Sequence, residues 1–566
     1  MNSTHTPNAD SESPQSTAPD PSRQLRPRRE GYSYAGLLIA LVLTWLSLTP
    51  SLLPRGPLFQ GVVTGAAAAM GYGLGVLAAA IARWVVRRHA EPRARSWHWW
   101  ALAVVAVAGT IAVLRWFANW QDQLRNLMGV AGLSLSAYPL MFLIAAVVFV
   151  VSIALARMLV SLWRWVGRQL NRVVPARVAA VASGVLIAAV IVTVLNGVAA
   201  SAIMSLLNDT FKAINQETSA DTVAPTVRER SGGPGSLVSW DSLGRQGRIF
   251  VAGGPTTEGL ATFNQRPARQ PIRTYTGLAS ADTPEEEADL GVAELERAGG
   301  FDRAVLGVAT TTGTGWINEN TAAALEYLHN GDSALVSMQY SYLPSWISFV
   351  VDKERAKHAG QALFDAVYAK WQTLPPEHRP KLVVFGESLG SFGGEAAFSG
   401  VQDMAVRTDG VLFVGPTNSN VVWRDTTARR DQGTPEWLPI YHNGQTAHFV
   451  ARPADLDRPA APWQAPRVVY LQHPSDPITW WTPRLLFEKP DWLREPRGYD
   501  VLPSTRWLPI VTFLQVSADM AVSVDVPDGH GHTFHADIAD AWAAILQPPN
   551  WTAADTVRLR AILTAE

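Results

Sequence analysis

The sequence predicts a two-part chain, a series of apolar transmembrane helices followed by an α/β region with a mainly parallel sheet. Three observations predict it. Before about residue 230 the chain carries five long apolar stretches, and its charge is mostly arginine. Beyond that point acidic and basic residues alternate, and short apolar runs of strand length alternate with helical patterns. One such run, Leu382 to Phe385, leads into Gly386-Glu387-Ser388-Leu389-Gly390 and then a helical pattern from Ser391 to Phe398.

Composition narrows the field. At 566 residues the chain is too long for one ordinary domain. Its 47 basic and 48 acidic residues nearly cancel, which gives no support for a nucleic-acid partner. There is no cysteine, so a disulfide framework, a thiolate metal site and a cysteine nucleophile are excluded.

Residues 1–30 are rich in Ser, Thr, Pro, Asn and Asp and read as a disordered tail. Apolar stretches follow at 33–53, 59–82, 98–117, 138–160 and 178–204. Each approaches or exceeds the ~20 residues that cross a bilayer. The first has no small-x-small cleavage site and four further stretches follow it, so it reads as a retained helix. Arg83, Arg87, Arg88, Arg93 and Arg95 fill the second connecting loop, and Arg157, Arg164, Arg168, Arg172 and Arg177 the fourth. The other two loops are poor in basic residues. Basic loops stay on the cytoplasmic side. The tail is therefore expected inside, and everything after residue 205 outside the cytoplasm, in a multi-pass protein of the inner or plasma membrane. Trp84, Trp97, Trp99, Trp100, Trp116, Trp120, Trp163 and Trp165 cluster at the expected boundaries, as interfacial anchors do. No acidic or histidine residue lies deep in a stretch, which disfavours transport and favours an anchor. Gly61, Gly65, Gly71, Gly73 and Gly75 predict close helix packing in the second.

The expected helical region is 31–205, and 206–247 is a linker broken by Ser231-Gly-Gly-Pro-Gly-Ser236. The α/β region, 248–566, is expected to hold strands at 248–252, 272–276, 304–309, 334–339, 382–385, 410–414, 467–472 and 521–526. Helices are expected from Pro284, behind the capping box of Thr283 and Glu286, and at 318–328, 352–371 and 536–546.

A G-x-S-x-G between a buried strand and a helix is the setting of the α/β-hydrolase nucleophile elbow. Its serine needs a histidine to take its proton and an acid to orient that histidine, in chain order Ser, acid, His. Asp476, in His473-Pro-Ser-Asp-Pro477 after the strand 467–472, stands where the acid is required. An Asx-turn before proline would account for the same residue. Asp528-Gly-His-Gly-His-Thr-Phe-His535 precedes the last helix and offers His530 and His532, which spacing does not separate. In a rival reading, His530, His532 and His535 bind a metal with Asp476 or Asp528. That would leave Ser388 without a base, so no metal or cofactor is expected. The oxyanion donors are expected to be the Leu389 N–H and an N–H of the loop Thr310–Trp316, with Thr311 the candidate. Aromatic loops at 340–346, 478–483 and 492–507 either line an apolar groove or serve as core.

The chain resembles a bacterial family of membrane-anchored α/β-hydrolases, in which a multi-span N-terminal domain precedes an α/β-hydrolase domain. The resemblance rests on Thr312-Gly-Thr-Gly-Trp316, Gln339-Tyr-Ser-Tyr-Leu-Pro-Ser-Trp346, Gly386–Gly390, Ser475-Asp-Pro-Ile478 and Gly529-His-Gly-His532, and covers about residues 30–550. It implies Ser388, Asp476 and one of His530 and His532 as a triad. The resulting expectation is an extracytoplasmic serine hydrolase beside membrane lipids, acting on lipid or cell-envelope acyl esters. An acyltransferase using the same triad, or an inactive membrane scaffold or transport component, are the alternatives.

Overall fold

A computed structural model describes residues 32–86, 94–193 and 199–565. The expected disordered tail lies outside the described residues, as do Arg87, Arg88 and Arg93 and the segment 194–198 of the fifth apolar stretch.

The helical region holds α1 (Tyr34–Ser47), α2 (Pro57–Val85), α3 (Ser96–Leu127), α4 (Ala137–Leu170), α5 (Ala176–Thr193) and α6 (Ala199–Gln216). Among the described residues three of these, α2, α3 and α4, are long and apolar enough to cross a membrane, and the other two of the five expected stretches hold shorter apolar helices. α1 has 14 residues and spans only ~21 Å, short of the ~30 Å hydrocarbon core. Its apolar stretch continues to residue 53, but Pro50 and Pro54 cannot donate backbone hydrogen bonds and the chain leaves the helix. In the fifth stretch only Val178–Val190 forms an apolar helix among the described residues. The glycines of α2 do permit close approach. A Cβ on Gly65 would lie 2.6 Å from the Ala145 carbonyl of α4, and one on Gly71 would lie 2.8 Å from the Ile39 carbonyl of α1.

The C-terminal region is built on a seven-stranded parallel sheet. Its strands are β1 (Ile272–Thr276), β2 (Val305–Thr310), β3 (Ser333–Met338), β4 (Lys381–Glu387), β5 (Gly410–Val414), β6 (Ala447–Val450) and β7 (Arg467–Leu471). Their order is β1-β3-β2-β4-β5-β7-β6. Side chains alternate between two cores, as the pleat requires. Leu382 and Val384 pack with Leu295, Leu363 and Phe413 on one face. Val383 and Phe385 pack with Leu325, Ile538 and Trp542 on the other. Both faces are covered by helices, which is why the strands read as continuous apolar runs. From β2 the chain goes to β3 on one side and then crosses to β4 on the other. The carboxyl ends of β2 and β4 therefore flank the crevice where such sheets place ligands.

Two expected strands are helix or turn instead. Residues 248–252 belong to a helix, Gly244–Ala252, that buries Phe250 and Val251. Its Arg248 donates to the carbonyls of Asn215, Gln216 and Glu217 and so caps the end of α6. Residues 521–526 form turns after the helix Val511–Met520. No edge remains for them beside β7, which already pairs with β5 and with the short β6. Val522 and Val526 are buried without being in a strand, while Val524 is exposed.

The loop between α1 and α2 joins the two regions. Asp519, on the helix Val511–Met520, accepts from Ser51 Oγ and from the Leu52 N–H at 3.2 Å. It also faces Arg55, whose Nη1 is 3.4 Å away, and both side chains are buried. Gln515, one turn earlier, donates to the Thr49 carbonyl at 2.8 Å. Leu52 and Leu53, with Leu124 and Met128 of the α3 end, enter the same core as Leu382 and Phe413. Arg55→Met would strand a buried carboxylate. It is expected to destabilise the full-length protein by about 3–5 kcal/mol, read as a lowered midpoint of thermal unfolding in detergent.

Candidate active site

Ser388 sits at the junction of β4 and the helix Leu389–Glu395, with φ 56° and ψ −121°. A residue with a side chain holds such a conformation only where its surroundings impose it. Here the Ser388 N–H donates to the Val414 carbonyl of β5 at 2.9 Å, and the Phe392 N–H returns to the Ser388 carbonyl at 3.3 Å. The flanking glycines allow the turn. A Cβ on Gly386 would lie 2.6 Å from the Gly390 carbonyl oxygen, and one on Gly390 would meet the Thr310 carbonyl.

Asp476 begins the short helix Pro477–Trp480. Its Oδ1 accepts from the Ile478 N–H at 2.8 Å and its Oδ2 from the Thr479 hydroxyl at 3.1 Å. The same Oδ2 lies 2.7 Å from His532 Nδ1. The Asx-turn and the histidine partner are thus both present in one buried carboxylate, and the cap holds it still for the imidazole. With Nδ1 donating to Asp476, His532 Nε2 is an acceptor, and it is buried with no hydrogen-bond partner. The ring lies over Gly415, where a Cβ would come 2.8 Å from Nδ1. Gly415 follows Val414, the residue that receives the Ser388 N–H, so the imidazole stands beside the elbow.

A family model described as alpha/beta-hydrolase family matches residues 272–559, the stretch that contains all three residues. The chain belongs to the alpha/beta-hydrolase family. A second model, described as the N-terminus of that family, matches residues 48–255. No curated protein and no solved structure matches the chain. Family membership and the parallel sheet support a hydrolase-type function.

In this alpha/beta-hydrolase, His530 has a different neighbour from His532. Its Nδ1 lies 3.3 Å from Asp500 Oδ2, which also accepts from Ser475 Oγ at 2.5 Å. Ser475 Oγ in turn receives the Gly531 N–H at 2.8 Å, and His473 Nδ1 meets the Gly531 carbonyl at 3.0 Å. The histidine loop is therefore stitched to the acid loop through both polar groups of Gly531. His535 is nearest to Asp528, at 3.9 Å. The three histidines of the motif face three different carboxylates instead of converging on one centre.

The expected oxyanion donors lie at the adjoining carboxyl ends of β2 and β4. Leu389 opens its helix, so its N–H has no acceptor within that helix. Thr311 follows β2, and its hydroxyl donates to the Met338 carbonyl at 2.9 Å. A Cβ on Gly390 would lie 3.1 Å from the Thr311 carbonyl oxygen, which places Thr311 against the elbow helix. Of the aromatic loops, Trp480 and Trp492 are buried core, in tilted ring contact in series with Trp423. Trp481 is half-buried between Phe349 and Phe513.

Sequence reasoning missed Glu387, which lies inside the motif itself. Burial pushes its carboxyl up to about 7, and it accepts from Asn318 Nδ2 at 2.5 Å. Its position next to the serine was the available signal. Burial alone would lower the His532 imidazole, but Asp476 and then Glu387 outweigh it, and the ring stands above the ordinary 6.5. Asp500 and Ser475 were also missed, because nothing local to Asp500 marks a residue that acts 30 positions away.

Proposed function

We propose that the chain is a membrane-anchored serine hydrolase that cleaves acyl esters of lipids or the cell envelope, with its catalytic region outside the cytoplasm. The observation that carries this reading is the 2.7 Å contact of His532 Nδ1 with Asp476, which leaves the buried Nε2 without a hydrogen-bond partner on a ring that lies over Gly415, next to the Val414 carbonyl that binds the Ser388 N–H. In the reaction Ser388 Oγ attacks the acyl carbonyl and gives its proton to His532 Nε2. Asp476 stabilises the imidazolium, and the N–H groups of Leu389 and Thr311 receive the oxyanion. The imidazolium then protonates the leaving alcohol. Water attacks the acyl-enzyme with His532 again as base, the acid is released and Ser388 is restored.

Two features support a substrate at the bilayer. Leu53, in the α1–α2 loop, stands where a Cβ on Gly531, the residue before His532, would meet its Cδ2 methyl at 3.4 Å. Arg83 in the last turn of α2, Arg95 at the N-cap of α3 and Arg168 in the last turn of α4 stand at the opposite ends of those helices, ~40 Å away for the 29 residues of α2. By the positive-inside rule that is the arrangement of an external catalytic region. The test is hydrolysis of a graded series of fatty-acyl esters and of membrane lipid extract by the full-length protein. Release of free acid, favoured by longer chains and absent with Ser388→Ala, is expected. Turnover of none of them by folded protein would reject the ester reading, and an inactive C-terminal alkaline phosphatase fusion would reject the orientation.

The base must be neutral to act. Activity is therefore expected to fall as pH drops through the His532 pKa, which lies above 6.5. An initial-rate profile should place the midpoint of its acidic limb on the alkaline side of that value. Asp476→Asn should move it lower, since Asp476 is the main group that raises it.

A further inference from the structure

The contact between the helical region and the histidine loop is closer than an anchor needs. Asp519 gathers Ser51, Leu52 and Arg55 of the α1–α2 loop around one buried carboxylate. Arg55 Nη1 also donates to the Gln515 carbonyl at 3.2 Å, and the Arg55 carbonyl accepts from Arg125 Nη2 of α3 at 3.1 Å. The loop is thus clamped from both sides. Past Asp519 the chain turns, the Val522 N–H bonding back to the Asp519 carbonyl at 3.1 Å, and reaches Ser523. The Ser523 carbonyl accepts the His532 N–H at 2.8 Å.

Gly531, with φ 54°, lies at the meeting point. A Cβ there would come 2.6 Å from the Ser523 carbonyl oxygen and from Val526 Cγ2, and 3.4 Å from the Leu53 Cδ2 methyl. Leu53 is fully buried. It stands against the histidine loop, which Ser475 and His473 also hold through Gly531.

We propose that the α1–α2 loop is a positioning element of the active site, in which Leu53, locked in place by the Arg55–Asp519 pair, fixes the backbone that carries His532. The inference rests on the hydrolase reading above and adds to it a role for the helical region in catalysis. Leu53 and Arg55 touch no reacting atom. They act through Gly531 and through the Asp519–Ser523 turn. The helical region then completes the catalytic region instead of only tethering it.

The experiment measures the rate at which a fluorophosphonate labels Ser388 in full-length protein in detergent, as a function of pH. Leu53→Ala is expected to slow labelling about tenfold, since sub-ångström displacement of a base is costly. It should also move the acidic limb to lower pH, as the ring loosens from Asp476 and Glu387, the two acidic groups that raise it. Leu53→Val should shift both in the same direction by less, and decides the matter if Leu53→Ala does not fold. Leu124→Ala removes an equally buried side chain of the same core on α3 and should label within about twofold of the unaltered protein. An unaltered rate and pH profile in the Leu53 variants, or equal slowing in Leu124→Ala, would overturn the proposal while leaving the hydrolase reading intact. Failure of the folded, unaltered protein to be labelled would remove the hydrolase reading and this inference with it.

Discussion

Ser388→Ala is expected to abolish covalent labelling by a fluorophosphonate and to lower ester hydrolysis by on the order of 10⁴- to 10⁶-fold. The size of the effect follows from the site. Ser388 is the hydroxyl that the elbow projects at the carboxyl edge of the sheet, and its φ of 56° is held by the Val414 carbonyl and two flanking glycines. Removing the hydroxyl leaves the backbone donors and the binding surface but no nucleophile. The variant should keep the fold, because the N–H and carbonyl bonds of residue 388 involve no atom of its own side chain. Circular dichroism and thermal unfolding of the full-length protein check that point. Residual labelling of Ser388→Ala at a rate near that of the unaltered chain would place the nucleophile elsewhere.

The two histidines should separate just as sharply. His532→Ala is expected to cost on the order of 10⁴-fold or more in turnover, since it removes the base and strands Ser388 as a neutral hydroxyl. His530→Ala is expected to cost about tenfold or less. Its ring contacts Asp500, and Asp500 still accepts from Ser475, so the bond from the Gly531 N–H to Ser475 survives. Parallel rate measurements on the two variants decide it. Equal losses would mean that the Asp500–His530 contact takes part in the chemistry.

Much of the site was legible because it is written in local pattern. A buried strand, a glycine-flanked serine and a helix lie within twenty residues, and their geometry is set by near neighbours. The capping box at Thr283 and Glu286 was equally local, and both of its reciprocal bonds are formed. The order Ser388, Asp476, histidine was also readable, since it follows from which strand ends each residue occupies. The failures were of a different kind. Val522, Val524 and Val526 have the composition of a strand, but β7 is already paired on both sides. The stretch 33–53 has the composition of a span, but its last part is apolar because it is buried against another region.

The sequence by itself determined the class of fold and the residue types of the site. Burial on both faces of a parallel sheet, and a turn that admits only glycine, leave an imprint on the residues nearest to them. Only the tertiary structure decided which histidine meets Asp476. His530 and His532 each follow a glycine in the chain, and the choice is made by Asp500 and Ser475 on one side and Ser523 on the other. It alone also brought Ser51 to Asp519, 468 residues away. No local signal encodes such a contact, because each partner is specified by the shape and charge of a surface that exists only after both regions have folded.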